Sequence, residues 1–315
     1  RLDSIDKLNN AFIKRSELTK HLYEIYDLER LCGKATCGTF NARDALQIKK
    51  SLEHLPYVKT LVSEIGLNID INTHEELYKL LESSIYEDAP ITLKDGYLIK
   101  EGYNKELDEL KEIRSGGKSF IAGMEQELKE QSGISNLKVG YNKVFGYYIE
   151  ISKANYATIP EGRYIRKQTL ANAERFITEE LKVMEEKILG AEEKLIALEY
   201  QLFVEVRDKV EKEIARLKKT AHIISSLDVI STMALIALEN NYIKPQINEE
   251  GIFEIKEGRH PVVEKVIGKG EFICNDTHLN RNKDRFLLIT GPNMAGKSTY
   301  MRQVALINLM AQIGS

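Results

Sequence analysis

Residues 285–299 read Arg-Phe-Leu-Leu-Ile-Thr-Gly-Pro-Asn-Met-Ala-Gly-Lys-Ser-Thr and join an apolar run to a glycine-rich turn. The apolar run, 285–290, is typical of a β-strand. From Lys297 onward the chain consists of helix formers, with apolar residues spaced for a helix that packs on a sheet. A strand, a turn and a helix therefore follow one another in the order that a phosphate-binding loop requires.

The turn predicts a site for the phosphates of ATP. Gly291 and Gly296 let the backbone N–H groups point at phosphate oxygens, at the positive end of the helix dipole. Lys297 is expected to reach the β- and γ-phosphates, and Ser298 is expected to offer its hydroxyl to Mg²⁺. The predicted ATP-binding residues of the loop are Gly291, Pro292, Asn293, Met294, Ala295, Gly296, Lys297, Ser298 and Thr299.

ATP hydrolysis requires more than this loop. A P-loop ATPase also needs a second strand that ends in an acidic residue and holds Mg²⁺. No such strand follows before Ser315, so we expect the chain to end inside its ATPase domain and to lack turnover by itself. Because the chain opens with Arg1 rather than methionine, we expect both ends to be boundaries within a longer protein.

Composition indicates a soluble protein with long exposed helices. The 315 residues are 43% hydrophobic and 30% charged, enough for two or more domains. No apolar run approaches the roughly 20 residues that span a bilayer, so we expect no membrane partner and a cytoplasmic location. The three cysteines and six scattered histidines match neither a disulfide framework nor a metal-hydrolase motif.

The first hundred residues have the pattern of a helical domain. One short stretch, 91–99, has β-type character. The predicted helices are 5–12, 16–31, 42–52, 56–65 and 74–81.

Two long helices are predicted next, at about 104–130 and 178–219. Both have the narrow apolar stripe of an antiparallel coiled coil, and their lengths of about 40 Å and about 60 Å suggest a projecting arm. Gly116 and Gly117 indicate either a bend or a close helix contact, and we favour the bend. The predicted stripes are Leu107, Leu110, Ile113, Gly117, Phe120, Met124 and Leu128, and Met184, Ile188, Ala191, Leu195, Leu198, Leu202, Val206, Val210, Ile214 and Leu217.

The segment between these helices, 137–177, is rich in aromatic and β-branched residues and predicts a small antiparallel sheet. Residues 138–175 carry seven basic against three acidic side chains, a local charge of +4 in a chain of net charge −3. Such a module suits contact with a phosphate backbone. A solvated hairpin whose tyrosines pack a core of its own is the alternative.

Two segments of this sheet have a distinctive sequence: residues 144–151 read Val-Phe-Gly-Tyr-Tyr-Ile-Glu-Ile, and residues 164–175 read Tyr-Ile-Arg-Lys-Gln-Thr-Leu-Ala-Asn-Ala-Glu-Arg. Both resemble the clamp of the MutS DNA mismatch-repair family. Its ATPase domain is resembled by 257–264, Glu-Gly-Arg-His-Pro-Val-Val-Glu, and by the loop with its flanks, 290–302. The family's helical core is similar to Asp-Leu-Glu-Arg at 27–30 and Asn-Ala-Arg-Asp at 41–44.

The resemblance covers essentially the whole chain and implies a mainly α fold with a small β clamp. A helical core and long antiparallel lever helices would be followed by the truncated start of an α/β ABC-type P-loop ATPase domain. The implied domains are 1–130 (core and first lever helix), 131–181 (clamp), 182–245 (returning lever helix and core) and 246–315 (start of the ATPase domain).

In that family a dimer encircles duplex DNA, and ATP exchange converts a mismatch-scanning ring into a sliding clamp. The resemblance therefore implies double-stranded DNA, a second copy of the protein and a MutL-type repair protein as partners, with a bacterial, nucleoid-associated location. It also implies that Phe272 stacks on adenine, although its offset from the loop is one residue longer than the common pattern. The expected contacts to the DNA backbone are Lys138, Asn142, Lys143, Lys153, Arg166, Lys167, Thr169, Asn172 and Arg175.

The family reads mismatches with a Phe-x-Glu wedge in a domain that would precede this chain. Residues 203–205 fit that pattern but lie on the second long helix, where Phe203 is expected to pack. We therefore expect this segment to lack mismatch specificity. An alternative function is a coiled-coil ATPase of the chromosome-maintenance type, although its P-loop would precede the coil. A small-molecule P-loop kinase leaves the preceding 240 residues or so unexplained.

Overall fold

The computed structural model describes residues 1–93, 96–142, 146–158, 163–268 and 270–315. The chain divides into two compact units. The first unit comprises Arg1–Tyr26, Glu53–Thr73 and Lys218–Ser315, and the second comprises Asp27–Leu52 and His74–Leu217. Two helices contribute to both units: α4 (Ala42–Ile65) and α7 (Glu179–Glu239).

The first unit combines helices with a small two-stranded sheet. Besides its parts of α4 and α7, it contains α1 (Leu2–Asn10), α2 (Phe12–Tyr23), β5 (Ile252–Gly258), α8 (Pro261–Ile267), β6 (Asn275–Asn280) and α9 (Lys297–Ile313).

The second unit combines helices with a four-stranded sheet. It contains α3 (Leu28–Thr36), α5 (Glu75–Ser84), α6 (Lys105–Ser132), β1 (Lys138–Asn142), β2 (Gly146–Ser152), a 3₁₀ helix (Lys153–Thr158), β3 (Ile165–Thr169) and β4 (Ala173–Ile177).

Helix caps account for one correction to the predicted helices. The predicted helix 16–31 is two helices, because α2 ends at Tyr23 and the Asp27 carboxylate accepts the N–H of Arg30 (2.9 Å) to start α3. In the same way, Asn41 and Asp44 exchange backbone-to-side-chain hydrogen bonds of 3.1 and 3.0 Å at the start of α4. The motifs at 27–30 and 41–44 are therefore helix caps.

A proline lies inside α4 and does not divide it. The separate predicted helices 42–52 and 56–65 are one helix with Pro56 in its interior. A proline there removes one backbone hydrogen bond and costs about 3 kcal/mol. Full burial of Leu55 and Val58 on either side offsets that cost.

The β-type stretch predicted at 91–99 is reduced to one bridge between Ile85 and Ile99, and its residues 94–95 lie outside the described part. The bridge lies beside a buried ion pair between α6 and α7, in which Lys111 Nζ is 3.9 Å from Glu199 Oε1. Lys111 also donates to the Ile99 carbonyl (2.8 Å). Burial raises the pKa of the Glu199 carboxyl. The burial of Glu199 was not predicted from the sequence, because the predicted apolar stripe of this helix contained its neighbour Leu198.

The sheet predicted between the two long helices is confirmed. Its strand order is β1-β2-β4-β3, and all neighbouring strands are antiparallel. One face packs on α6 and α7 in a single apolar cluster. Its buried members are Ile121, Met124, Leu128, Ile134, Leu137, Ile149, Ile151, Phe176, Ile177, Leu181 and Ile188.

The two predicted stripes differ in accuracy. In α7 the predicted stripe is buried or half-buried throughout. In α6 the predicted members Ile113 and Phe120 are exposed, and Ile121 packs in the cluster instead. Gly117 makes a close helix contact, because a β-carbon there would lie 2.8 Å from Ile188 Cδ1. The helix continues through both glycines, so the preferred bend gives way to the contact.

Among the described residues, α7 contains a stretch long and apolar enough to cross a membrane by length and composition alone. This corrects the expectation that no such stretch exists. The same helix buries Leu227 and Ala234 fully, one heptad apart, and Ser231 lies 3.2 Å from the hydroxyl of Thr19 on α2. Packing against other helices therefore covers one face of this stretch, while Val229, Leu235 and Leu238 remain exposed.

We expect Gly117→Ala to destabilise the protein by about 1–3 kcal/mol, because the added methyl group overlaps Ile188. Gly116→Ala is the matched control. Nothing lies within 4 Å of a β-carbon at that position, so the exchange should stabilise the helix by about 0.5–1 kcal/mol. Urea unfolding measures both variants. Equal stabilisation by the two exchanges would contradict the close contact.

Candidate nucleotide cleft and candidate nucleic-acid interface

The predicted phosphate loop leads directly into a helix. α9 begins at Lys297, and Gly296 before it has a φ of 85°. Gly291 has a φ of 149° and Met294 a φ of 66°. Such backbone angles favour glycine and are strained at methionine. The predicted loop-to-helix step is therefore confirmed, with a strained residue at the exposed tip of the loop.

The side chain of Lys297 crosses the mouth of this loop. Its Nζ donates to the carbonyl oxygens of Gly291 (2.6 Å) and Pro292 (2.5 Å). No carboxylate takes part in these contacts. An ammonium group held by neutral carbonyls is available for stronger, charge-assisted partners such as phosphate oxygens.

A cleft of about 1200 Å³ opens beside the loop. Its lining includes Ala295, Gly296, Lys297 and Thr299 from the predicted site, together with Phe272. The structure therefore brings the predicted adenine-stacking ring and the phosphate-binding lysine to one cleft. Ser298 is exposed and does not line it.

The strand predicted at 285–290 is absent, since these described residues have no strand pairing. Phe286 is 80% exposed and Leu288 is 78% exposed. A strand that is apolar on both faces belongs in the middle of a covered sheet, where neighbours pair with both of its edges. β5 and β6 pair only with each other in the described part, so 285–290 finds no such neighbour.

Carboxylates on the two long helices bind backbone N–H groups of β1 and β2. The Glu125 carboxylate on α6 accepts the N–H of Val139 (3.0 Å), and that of Glu185 on α7 accepts the N–H of Tyr147 (3.2 Å). Hydrogen bonds from the Lys129 ammonium and then from Val139 lower the pKa of the Glu125 carboxyl. Gly146 has a φ of 73°, and the Glu185 carboxylate occupies the space of its missing β-carbon.

A polar ladder crosses the outer face of the sheet, one residue per strand. Lys138 pairs with Glu150, Glu150 with Arg175, and Arg175 with Gln168. Arg175 donates to Glu150 Oε2 (2.9 Å) and Gln168 Oε1 (3.0 Å), and its guanidinium lies 4.0 Å above the Tyr148 ring. Arg175, a predicted DNA contact, therefore also links three strands of the sheet by hydrogen bonds.

Arg166 has a second role of the same kind. Its guanidinium donates from Nε (2.9 Å) and from the terminal nitrogen (2.5 Å) to the carboxylate of Glu174, which is 7% exposed. The pairing crosses from β3 to β4 beside a register shift between Arg166 and Gln168. Sequence reasoning missed it, because Glu174 lies on the neighbouring strand opposite Thr169, and Arg166 reaches it diagonally.

The remaining predicted DNA contacts have varied positions. Asn142 is half-buried, and Lys143 lies outside the described residues. Lys167 lies at the register shift of β3. The exposed predicted contacts are Lys138, Lys153, Arg166, Lys167, Thr169 and Asn172.

Known proteins and family models match this chain. Residues 102–194 match the family model described as MutS family domain IV, and residues 287–315 match that described as MutS domain V. The DNA mismatch repair protein MutS of Clostridium beijerinckii is 59% identical over 100% of this chain and 35% of its own length. The protein of the same name from Clostridium botulinum strain Alaska E43 is 59% identical over 100% of this chain and 34% of its own length. That of Clostridium perfringens is 56% identical over 100% of this chain and 35% of its own length.

The chain therefore spans about a third of the length of the curated relatives that it matches. The domain IV match contains α6, the four-stranded sheet and the first part of α7. The domain V match contains the phosphate loop and α9. The four-stranded sheet and the phosphate loop thus lie in matched segments, whereas Phe272 lies outside both.

We expect Arg166→Ala to destabilise the protein by about 1–3 kcal/mol, because Glu174 would lose its partner. This destabilisation is smaller than that expected on breaking a fully buried ion pair, because the Arg166 side chain is half-exposed. Lys167→Ala, its neighbour, should change stability by less than about 0.5 kcal/mol. Urea unfolding compares them, and equal effects would contradict a structural role for Arg166.

Proposed function

The chain belongs to the MutS family, and from that premise we propose that it clamps duplex DNA and binds ATP as part of a DNA mismatch-repair ATPase. The observation that carries the proposal is the shared cleft of Phe272 and Lys297. A flat apolar ring and an ammonium group in one cleft match the two ends of ATP, a purine and a triphosphate.

The chain's own groups supply the chemistry of nucleotide binding. The N–H groups of the loop and the positive end of α9 attract the phosphates. Lys297 exchanges the carbonyls of Gly291 and Pro292 for β- and γ-phosphate oxygens, which carry more negative charge. Ser298, one residue into α9 and exposed, offers its hydroxyl to Mg²⁺, which would shield the charge of the phosphates.

The four-stranded sheet is the proposed contact to the DNA backbone. Its lysines neutralise phosphates without reading bases, so matched and mismatched duplexes are held alike. The ladder of Glu150, Arg175 and Gln168 stiffens the sheet behind them. Lysine suits this task, since an ammonium on a flexible stem contacts phosphates as a point charge.

The remaining functions follow from the family relationship. The full-length protein acts as a homodimer closed around DNA, and ATP converts its mismatch-scanning state into a sliding clamp. It works with a MutL-type repair protein in the bacterial cytoplasm, in association with the nucleoid. The names of the relatives support the role in DNA mismatch repair; the homodimer, the ATP switch, the MutL-type partner and the location are proposed from the resemblance to the family.

Lys297→Ala should weaken ATP binding by about 10- to 100-fold, since hydrogen bonds to charged groups contribute roughly 1.5–3 kcal/mol each. Titration of a fluorescent ATP analogue, with the fold checked by circular dichroism, measures the loss. Arg302→Ala removes the same charge from an exposed position of the same helix and is the control. Undiminished binding by the Lys297 variant would refute the site.

The double variant Lys153→Ala, Lys167→Ala should bind matched and mismatched duplexes equally less tightly. The slope of log affinity against log salt should fall by about 2, one unit for each phosphate contact removed. Lys194→Ala, an exposed site on α7, is the control. Fluorescence anisotropy gives these slopes, and a loss confined to mismatched DNA would refute the backbone contact.

A further inference from the structure

The C-terminal end of α7 is held by a side chain from outside the helix. The last carbonyl groups of a helix have no partner within it. Arg259 donates from one terminal nitrogen to the carbonyl oxygens of Asn240 (3.0 Å) and Asn241 (3.1 Å). Asn241 has a φ of 52°, the left-handed turn that commonly ends a helix.

The other terminal nitrogen of Arg259 faces α8. It lies 2.7 Å from Glu264 Oε1, and Glu264 is 7% exposed. The guanidinium also lies 5.8 Å from the centre of the Tyr242 ring. A planar fork binds both sides at once, which an ammonium group on a lysine stem cannot reproduce.

α8 borders the nucleotide cleft directly. Val263 and Ile267, on either side of Glu264 in the helix, line the cleft with Phe272 and Lys297. The start of α8 is fixed by His260, whose Nδ1 accepts the N–H groups of Val262 and Val263, each at 3.3 Å. A change in the cleft wall therefore reaches Glu264 within one short helix.

α9 packs against β5, the strand that ends just before Arg259. Gln303 of α9 is fully buried and lines the cleft. A β-carbon on Gly258, the residue before Arg259, would lie 2.7 Å from the Gln303 amide nitrogen and 2.9 Å from the Asn275 carbonyl oxygen. Glycine at this position lets α9 lie this close to the strand that precedes Arg259.

We propose that Arg259 is the positioning residue that couples nucleotide in the cleft to α7. The inference rests on the proposed function and adds its regulation. Arg259 touches neither candidate site itself; it joins α8, which lines the cleft, to the C-terminal end of α7. The opposite end of that helix contributes Leu181 and Ile188 to the core beneath the four-stranded sheet. If α8 moves, the Arg259 guanidinium can no longer keep its hydrogen bonds to Glu264 and to the two carbonyl oxygens at the same time.

The test measures coupling in a full-length MutS-family protein that carries this chain. The affinity for a non-hydrolysable ATP analogue is measured with and without duplex DNA, and the duplex affinity with and without the analogue. Thermodynamic linkage requires the analogue to change the duplex affinity by the same factor as the duplex changes the analogue affinity, so the two ratios are equal. In allosteric proteins this factor is typically roughly 5- to 150-fold. Arg259→Lys keeps the charge and removes the fork, so both ratios should fall below about threefold while each single-ligand affinity changes little.

Two further variants sharpen the test. Glu264→Gln keeps the shape of the contact without its charge and should also lower both ratios. Arg216→Lys is the control, because Arg216 of α7 pairs with Glu213 (2.7 Å) at an exposed position. Wild-type ratios in Arg259→Lys, or a tenfold loss of either single-ligand affinity, would overturn the coupling role alone. Ratios near one in the unaltered protein would overturn the proposed ATP control of DNA binding as well.

Discussion

The rest of the structure depends on one constraint, the need to cover the apolar face of α7 along its 61 residues. Helices in proteins take most of their stability from packing such a face rather than from intrinsic propensity. Near its start, Leu181 and Ile188 pack beneath the sheet. Farther along, the Phe203 ring lies 6.4 Å from that of Phe40, and Leu227 is fully buried near the end. The sheet, the helical core and the Arg259 contact are each fixed to a particular stretch of this helix.

The basic side chains of the four-stranded sheet are of two kinds: arginines that form ion pairs between strands, and exposed lysines. Arg166 and Arg175 bind Glu174 and Glu150, so their guanidinium groups hold strands together. The exposed ammonium groups of the sheet region belong to lysines, which suits contact with phosphates irrespective of sequence. A local charge of +4, counted from sequence, therefore overstates how many cations a DNA backbone meets. Arg259 repeats the joining role in the other unit.

The sequence alone predicted the helices and the sheet wherever the spacing of apolar residues kept one period without interruption. It placed the four strands between the long helices and the turn before α9, because alternation and glycine spacing are local signals. It failed where the outcome depends on distant partners. The run 285–290 is strand-like by composition but pairs with no strand in the described part of the chain. The partner of Arg166 was missed because Glu174 lies diagonally across the strand pair. Arg259 belongs to the motif at 257–264, but its contacts to the carbonyls of Asn240 and Asn241 leave no trace in the sequence.

The central claim is that the sheet holds a DNA backbone through exposed lysines. Fluorescence anisotropy of matched and mismatched duplexes, titrated with this chain over a range of salt concentrations, tests it most directly. Each neutralised phosphate contributes about 0.9 to the slope, so Lys138, Lys153 and Lys167 predict a slope between about 2 and 3 for both duplexes. No binding at low salt, or tighter binding of the mismatched duplex, would contradict the claim.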